Sequence, residues 1–141
     1  MKVVVCRFSD YREEIVSIRE IVFELEQGVD RELERDGLDD DCIQVVAFDE
    51  KEEAVGTGRL LANGKIGRMA VLKDWRGMGV GGEMLRRLME ASLELNLSRL
   101  FLSSQIDARS FYEKAGFEAI GGPFVEAGIV HIEMQRVFNL N

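Results

Sequence analysis

Apolar residues recur along this chain in two rhythms, and the switches between them mark its elements. Residues 3 to 8 form a short apolar, β-branched run that reads as a first strand. Ser9 or Asp10 follows, with a side-chain oxygen able to cap the unpaired amides of a helix start. Ile15, Ile18, Val22 and Leu25 then repeat at helical spacing and predict an amphipathic helix ending near Gly28. Residues 30 to 41 are highly charged and predict a short helix or a loop. Two apolar runs, residues 43 to 48 and 54 to 61, flank a polar turn as in a hairpin. Asn63-Gly64, both tolerant of positive φ, marks a second turn before a strand over residues 65 to 71. The three strands form an antiparallel meander.

The rhythm changes after a cluster of glycines. Met84, Leu85, Leu88 and Met89 mark one helical face that continues to about Leu95, with Asn96 near the stop. Residues 100 to 103 read as a strand, 108 to 115 as a short helix closed by Gly116, and 129 to 137 as a final strand. Antiparallel strands followed by alternating helices and strands predict an α+β fold: a mixed, mostly antiparallel sheet flanked by helices.

Composition narrows the class. The chain has 141 residues, 46% of them hydrophobic and one proline, which predicts a single globular domain over residues 1–141. The apolar run at the start is too short for a signal peptide, and no segment approaches the ~18 apolar residues of a membrane span, so a cytoplasmic protein without membrane contact is expected. Cys6 and Cys42 lack the spacing and neighbouring histidines of a metal site, and read as reduced thiols. Net charge is −8, but residues 1 to 62 hold 17 acids against 8 bases and residues 63 to 141 hold 9 against 10. The acidic first half disfavours nucleic acid as a partner. The near-neutral second half can still accept a phosphorylated ligand locally.

That possibility falls on Arg76-Gly77-Met78-Gly79-Val80-Gly81-Gly82, between a predicted strand and a predicted helix. Glycines let the backbone turn and approach a ligand closely, and a helix start offers unpaired amides with a positive dipole end. Arg76 adds a forked donor. A Walker loop needs Gly-Lys followed by Ser or Thr, which Gly81-Gly82-Glu83-Met84 lacks. A dinucleotide loop follows the first strand of a parallel unit, whereas this one follows a meander. A tight turn without a ligand is the competing reading of the glycines.

Met69-Ala70-Val71, a spacer, and then Arg76 to Gly81 before an apolar helix resemble the central motif of the GNAT acetyltransferase superfamily. Gln105, Ala108 and Phe111-Tyr112-Glu113-Lys114-Ala115-Gly116-Phe117 resemble its second cofactor motif. Val22-Phe23, Glu26-Gln27-Gly28-Val29, Glu32-Leu33-Glu34, Asp39-Asp40, Gly56-Thr57-Gly58-Arg59-Leu60 and Ala127-Gly128-Ile129 with His131 are similar to the ElaA-like and YjcF-like branch, which often carries a histidine where this chain has Gln44. The resemblance implies the GNAT acyl-CoA N-acyltransferase fold, with acetyl-CoA as co-substrate and no metal. It places the pyrophosphate on the loop amides of about Met78 to Gly82, with Arg76, Gly77, Gly79, Val80 and Gly81 around it. The pantetheine would lie along Met69, Ala70 and Val71, near Gln105 and Ala108. Tyr112 would be the general acid toward the leaving thiol.

The chemistry sets further demands. A lysine-like amine is only about 1 part in 2,500 neutral at pH 7, so a base must help. Glu26, at a polar helix end, is the first candidate and His131, the only histidine, the second. A backbone amide near Met69 or Val71 could polarise the thioester carbonyl if that strand bulges. Direct attack needs no protein nucleophile, in keeping with the lack of a Ser-His-Asp or Cys-His pattern. The acids at Glu26, Glu32, Glu34 and residues 39 to 41 favour a cationic acceptor such as a polyamine, amino sugar or lysine side chain. The alternative is a non-catalytic acyl-CoA sensor or partner-binding module, to which Gln44 lends weight; a homodimer is left open.

Overall fold

The computed structural model describes residues 1–139. β1 (Lys2–Arg7), β2 (Ile43–Phe48), β3 (Ala54–Leu60) and β4 (Ile66–Val71) form one antiparallel sheet in chain order. β5 (Arg99–Gln105), β6 (Glu118–Glu126) and β7 (Ile129–Val137) form a second, in the order β5-β7-β6. The helices are α1 (Arg12–Arg19), α2 (Arg31–Glu34), α3 (Val80–Glu94) and α4 (Arg109–Lys114). Among the described residues no helix is long and apolar enough to cross a membrane, and both cysteines are free.

β2 is apolar along nearly its whole length because both of its faces are covered. Val45 and Ala47 share a core with Met84, Leu85 and Leu88 of α3, while Val46 and Phe48 pack with Ile15 of α1. Alternate side chains of a strand point to opposite faces, so α3 and α1 must sandwich the sheet. Each fully buried aliphatic side chain in this core contributes about 1.5–3 kcal/mol.

The two sheets meet at a single parallel bridge between Lys65 and Phe101, where the Phe101 amide donates to the Gly64 carbonyl at 3.1 Å. Gly64 has φ +98°, and any Cβ there would overlap the Arg99 carbonyl oxygen, so only glycine permits this approach. Beyond the bridge β4 and β5 pair no further, and a cavity lined by Ile66 to Met69 of β4 and by Ser103 and Gln105 of β5 opens between them.

Three elements depart from the sequence reading. Neither Ser9 nor Asp10 caps α1: residues Phe8–Asp10 make a 3-10 turn, the Asp10 carboxylate accepts from the Arg7 amide at 2.8 Å, and Tyr11 occupies the cap without a side-chain bond. α1 continues as a π-helical segment, Glu20–Glu26, in which the Gln27 amide reaches back five residues to the Val22 carbonyl at 3.1 Å. The wider turn rotates Leu25 out of the apolar stripe, leaving it 80% exposed although Ile15, Ile18 and Val22 are buried. β6, unpredicted, pairs with β7 on either side of Gly121-Gly122-Pro123, which bulge out opposite Ile132.

Candidate active site

β4 carries the local distortion on which the site is built. Its register with β3 passes from Arg59↔Gly67 to Thr57↔Ala70, so Gly58 alone faces both Arg68 and Met69. Arg68 adopts φ +53°, a left-handed conformation that costs a non-glycine residue about 1 kcal/mol or more. Gly58 accommodates the bulge, since a Cβ there would collide with the Met69 sulfur. The bulge on which an oxyanion role for the amide near Met69 was made conditional is present at this point.

After β4 the chain makes a 3-10 turn at Lys73–Trp75 and passes through Gly77 (φ +77°) and Gly79 (φ +84°) into α3. No side chain caps α3, so the amides of its first turn are left for a ligand. A Cβ on Gly77, Gly79 or Gly82 would meet nothing within 4 Å, so the loop backbone lies open. Gly81 is different: a Cβ there would press against the Phe111 ring at 3.4 Å. An open run of amides at a helix N-terminus fits a pyrophosphate.

This loop forms one side of a cleft of about 540 Å³, the donor cleft. Met69, Ala70, Val71, Arg76, Gly77, Gly79, Val80, Gly81, Gly82, Ala108 and Tyr112 all line it, joined by Trp75, Met84 and Phe111. Met78 does not line it and is exposed. Gln105 lies instead on a second cavity of about 350 Å³, where its side chain pairs with Gln27 of the π-helical end at 2.8 Å. Met69, Ala108 and Tyr112 line both spaces. They mark where cleft and cavity meet.

Tyr112 is buried, edge-on to Phe111 and Phe117 with ring centroids 4.9 and 6.0 Å away. Burial pushes its phenol up to about 12. His131 lines the second cavity, stacked on Phe124. Its Nδ1 lies 2.7 Å from the Ile129 carbonyl oxygen. A carbonyl can only accept, so Nδ1 carries the proton of the neutral ring and Nε2 keeps its lone pair. Glu126 stands 3.9 Å from Nε2.

Glu26 is placed elsewhere. Its carboxylate accepts from both terminal nitrogens of Arg76, at 2.6 and 2.7 Å, and lines neither cavity. Those bonds hold its carboxyl below the usual range and raise the Arg76 guanidinium. Arg76 also donates through Nε to the Val71 carbonyl at 2.9 Å.

Behind the second cavity runs a buried ionic network. Arg59 bonds Asp36 and Asp39, while Arg19 donates to Asp39 at 2.8 Å and to the Gln44 side-chain oxygen at 3.2 Å. Gln44 is fully buried, donates back to Asp39, and reaches neither cavity. Burial alone would raise Asp36, but the Arg59 guanidinium and the Leu38 amide hold its carboxyl at about 2.

Phe23, Val29 and Glu34 stood in the sequence as parts of the branch-like segments, and Glu34 also in the acidic field, but none was assigned a place at a site; with Ser103 they help to wall the second cavity. The β6–β7 hairpin contributes Glu126, Ala127 and Ile129 to the same wall; Ala127 and Ile129 belong to a branch-like segment of the sequence, whereas Glu126 lies on the unpredicted β6 and went unnamed.

The chain was compared with known proteins. Residues 9–138 match the family model for the acetyltransferase (GNAT) domain. The uncharacterized N-acetyltransferase YjcF of Bacillus subtilis (strain 168) is 34% identical over 140 residues, covering 96% of this chain and 99% of that protein. A putative N-acetyltransferase from Lactobacillus plantarum superposes with TM-score 0.87 at 25% identity, covering 98% of each chain. ElaA of Escherichia coli shares the fold, with TM-score 0.85 at 24% identity over 96% of this chain and 99% of that one. With the glycine loop and Ala108, Phe111 and Tyr112 of the second motif on one cleft and these relatives along nearly its full length, the chain belongs to the GNAT acetyltransferase family, in its YjcF-like branch, and is an acetyl-CoA-dependent acyltransferase.

Proposed function

We propose that the protein transfers the acetyl group of acetyl-CoA directly to a primary amine held in the second cavity, with residues 1–141 acting as one catalytic domain. The observation that carries this reading is the shared opening: Met69, Ala108 and Tyr112 line both the donor cleft and the acceptor cavity. Two substrates entering from opposite sides meet there in one geometry, without a covalent enzyme intermediate. Acetyl-CoA supplies the thioester carbonyl and a thiol leaving group.

The chain's own groups then divide the work. The open amides around Gly79 to Gly82 hold the pyrophosphate, and the bulge at Arg68 and Met69 turns a main-chain amide toward the thioester carbonyl. The hollow of about 430 Å³ lined by Leu85, Met89 and Ala115, with Arg86, Lys114 and Arg136 on its walls, adjoins the cleft through Gly82 and Phe111 and suits the adenosine end.

Overall the attacking nitrogen loses two protons as its bond to the acetyl carbon forms and the carbon–sulfur bond breaks. His131 Nε2 takes the first, with Glu126 beside it to balance the ring's new charge. Tyr112 gives its proton to the departing sulfur and is refilled by the second. From a phenol at about 12, transfer to a free thiolate near 8.5 is uphill by roughly 5 kcal/mol. A thiolate leaving inside the same buried wall suffers the same desolvation, which narrows the gap.

The sensor reading drew its weight from Gln44, whose side chain is committed to Arg19 and Asp39 away from both cavities. Thiol release by the purified protein with acetyl-CoA and a panel of primary amines tests the proposal. Saturable, amine-dependent release is expected. Binding of acetyl-CoA without release on any amine would favour the sensor.

A further inference from the structure

One wall of the acceptor cavity has no part in the steps above. Glu34, the last residue of α2, lines it beside Leu33 and Arg68, yet is only 5% exposed. Its carboxylate is divided. Oε1 is sealed from solvent without a hydrogen bond, 3.8 Å from the Nε atoms of both Arg19 and Arg68. Oε2 also takes no donor from the described residues, and since Glu34 lines the cavity it is the oxygen left for a ligand there.

The neighbouring cations are committed elsewhere. Arg19 spends its terminal nitrogens on Asp39 and Gln44, and Arg68 donates to the carbonyls of Leu33 and Glu34 and to Asp36. Asp36 and Asp39 receive the strong bonds of this network, while the Glu34 side chain receives none. The charged groups facing it are Arg19 from α1, Arg68 from β4, Asp39 beyond α2 and Glu24 from the π-helical segment. Burial outweighs the two cations and raises its carboxyl above the usual range. A buried carboxylate left this short of donors gains most from a cation arriving on its one open side.

Resting on the amine-acetyltransferase reading, we propose that Glu34 is the counter-ion for a second ammonium group of the acceptor, making diamines and longer polyamines the preferred substrate class. One nitrogen is presented at Tyr112 and acetylated, while the other stays protonated against Glu34. Glu126 adds a second acid on the facing hairpin. Lys65, a cation on the same wall, supplies the rival expectation of an acidic acceptor.

The test is thiol release by the full chain on three acceptor series of matched length: α,ω-diamines, n-alkylamines and ω-amino acids. The diamine is expected to exceed the alkylamine in kcat/KM by about tenfold, expressed mainly in KM. Glu34→Gln should collapse that ratio toward one, and so should lowering the pH through the Glu34 titration. Acetyl-CoA affinity by calorimetry, which reads the donor cleft, reports that the variant is folded. Equal kcat/KM for diamine and alkylamine in the unaltered protein overturns the inference whether or not the variant folds. So does a preference for the ω-amino acid, which would point to Lys65. Acetyl-CoA binding with no release on any of the three series would overturn the acetyltransferase reading itself, and this inference with it.

Discussion

Arg76 and Glu26 form a two-pronged ion pair, 2.6 and 2.7 Å between guanidinium nitrogens and carboxylate oxygens, that ties the donor loop to the end of the π-helical segment. A pyrophosphate drawing on Arg76 must compete with that carboxylate. An ion pair this exposed is worth no more than about 1 kcal/mol. Glu26→Gln should therefore tighten acetyl-CoA binding roughly two- to fivefold in calorimetry, with kcat within about twofold. A fall in kcat of about 100-fold would instead restore Glu26 to the role of base.

His131 Nε2 is the lone pair we assign to the attacking nitrogen. His131→Ala should lower kcat by about 10²-fold or more and leave acetyl-CoA affinity nearly unchanged. A variant with normal turnover would reduce the ring to packing against Phe124.

Gly64 sits where the two sheets touch, with no room for a Cβ beside the Arg99 carbonyl. Gly64→Ala combines a positive φ with a backbone clash. It should cost about 2 kcal/mol or more, read as a fall in Tm. Gly77→Ala, open on all sides at φ +77°, should cost less, because only the backbone conformation opposes it.

Asp36 links stability to pH. Its folded value of about 2 lies below the reference 3.8, so it stabilises the fold above pH 4 and loses that contribution as pH falls toward 2. Discounted for solvent screening at a carboxylate this open to water, that contribution is worth about 1 kcal/mol. Asp36→Asn should lower the urea-unfolding free energy at pH 7 by about that amount, and should flatten its decline between pH 4 and 2.

The glycine loop's half of the candidate site was legible because it is built from backbone. Glycines at a strand-to-helix turn announce themselves in sequence, and Gly77, Gly79, Gly81 and Gly82 all line the donor cleft. The second cavity was legible only in part: His131 and the branch-like segments stood out in the sequence, but their meeting in one cavity did not, because its walls come from irregular geometry. Helical spacing placed Leu25 on the buried face, and the π-helical turn moved it to solvent. Gly-Gly-Pro hid β6 by breaking the alternation that reveals a strand, although it bulges out of the ladder without ending it. Glu34 looked like one more surface acid among residues 30 to 41, because charge along a chain does not say which member turns inward.

The central claim is that Tyr112, at the opening shared by cleft and cavity, protonates the departing thiol. Its phenol at about 12 also implies no loss of activity from its ionisation up to about pH 10.5. The direct measurement is kcat for thiol release by Tyr112→Phe, set against its acetyl-CoA affinity. The account predicts a fall in kcat of about 10²–10⁴-fold with affinity within about twofold of the unaltered protein. Unchanged kcat with intact binding would contradict it.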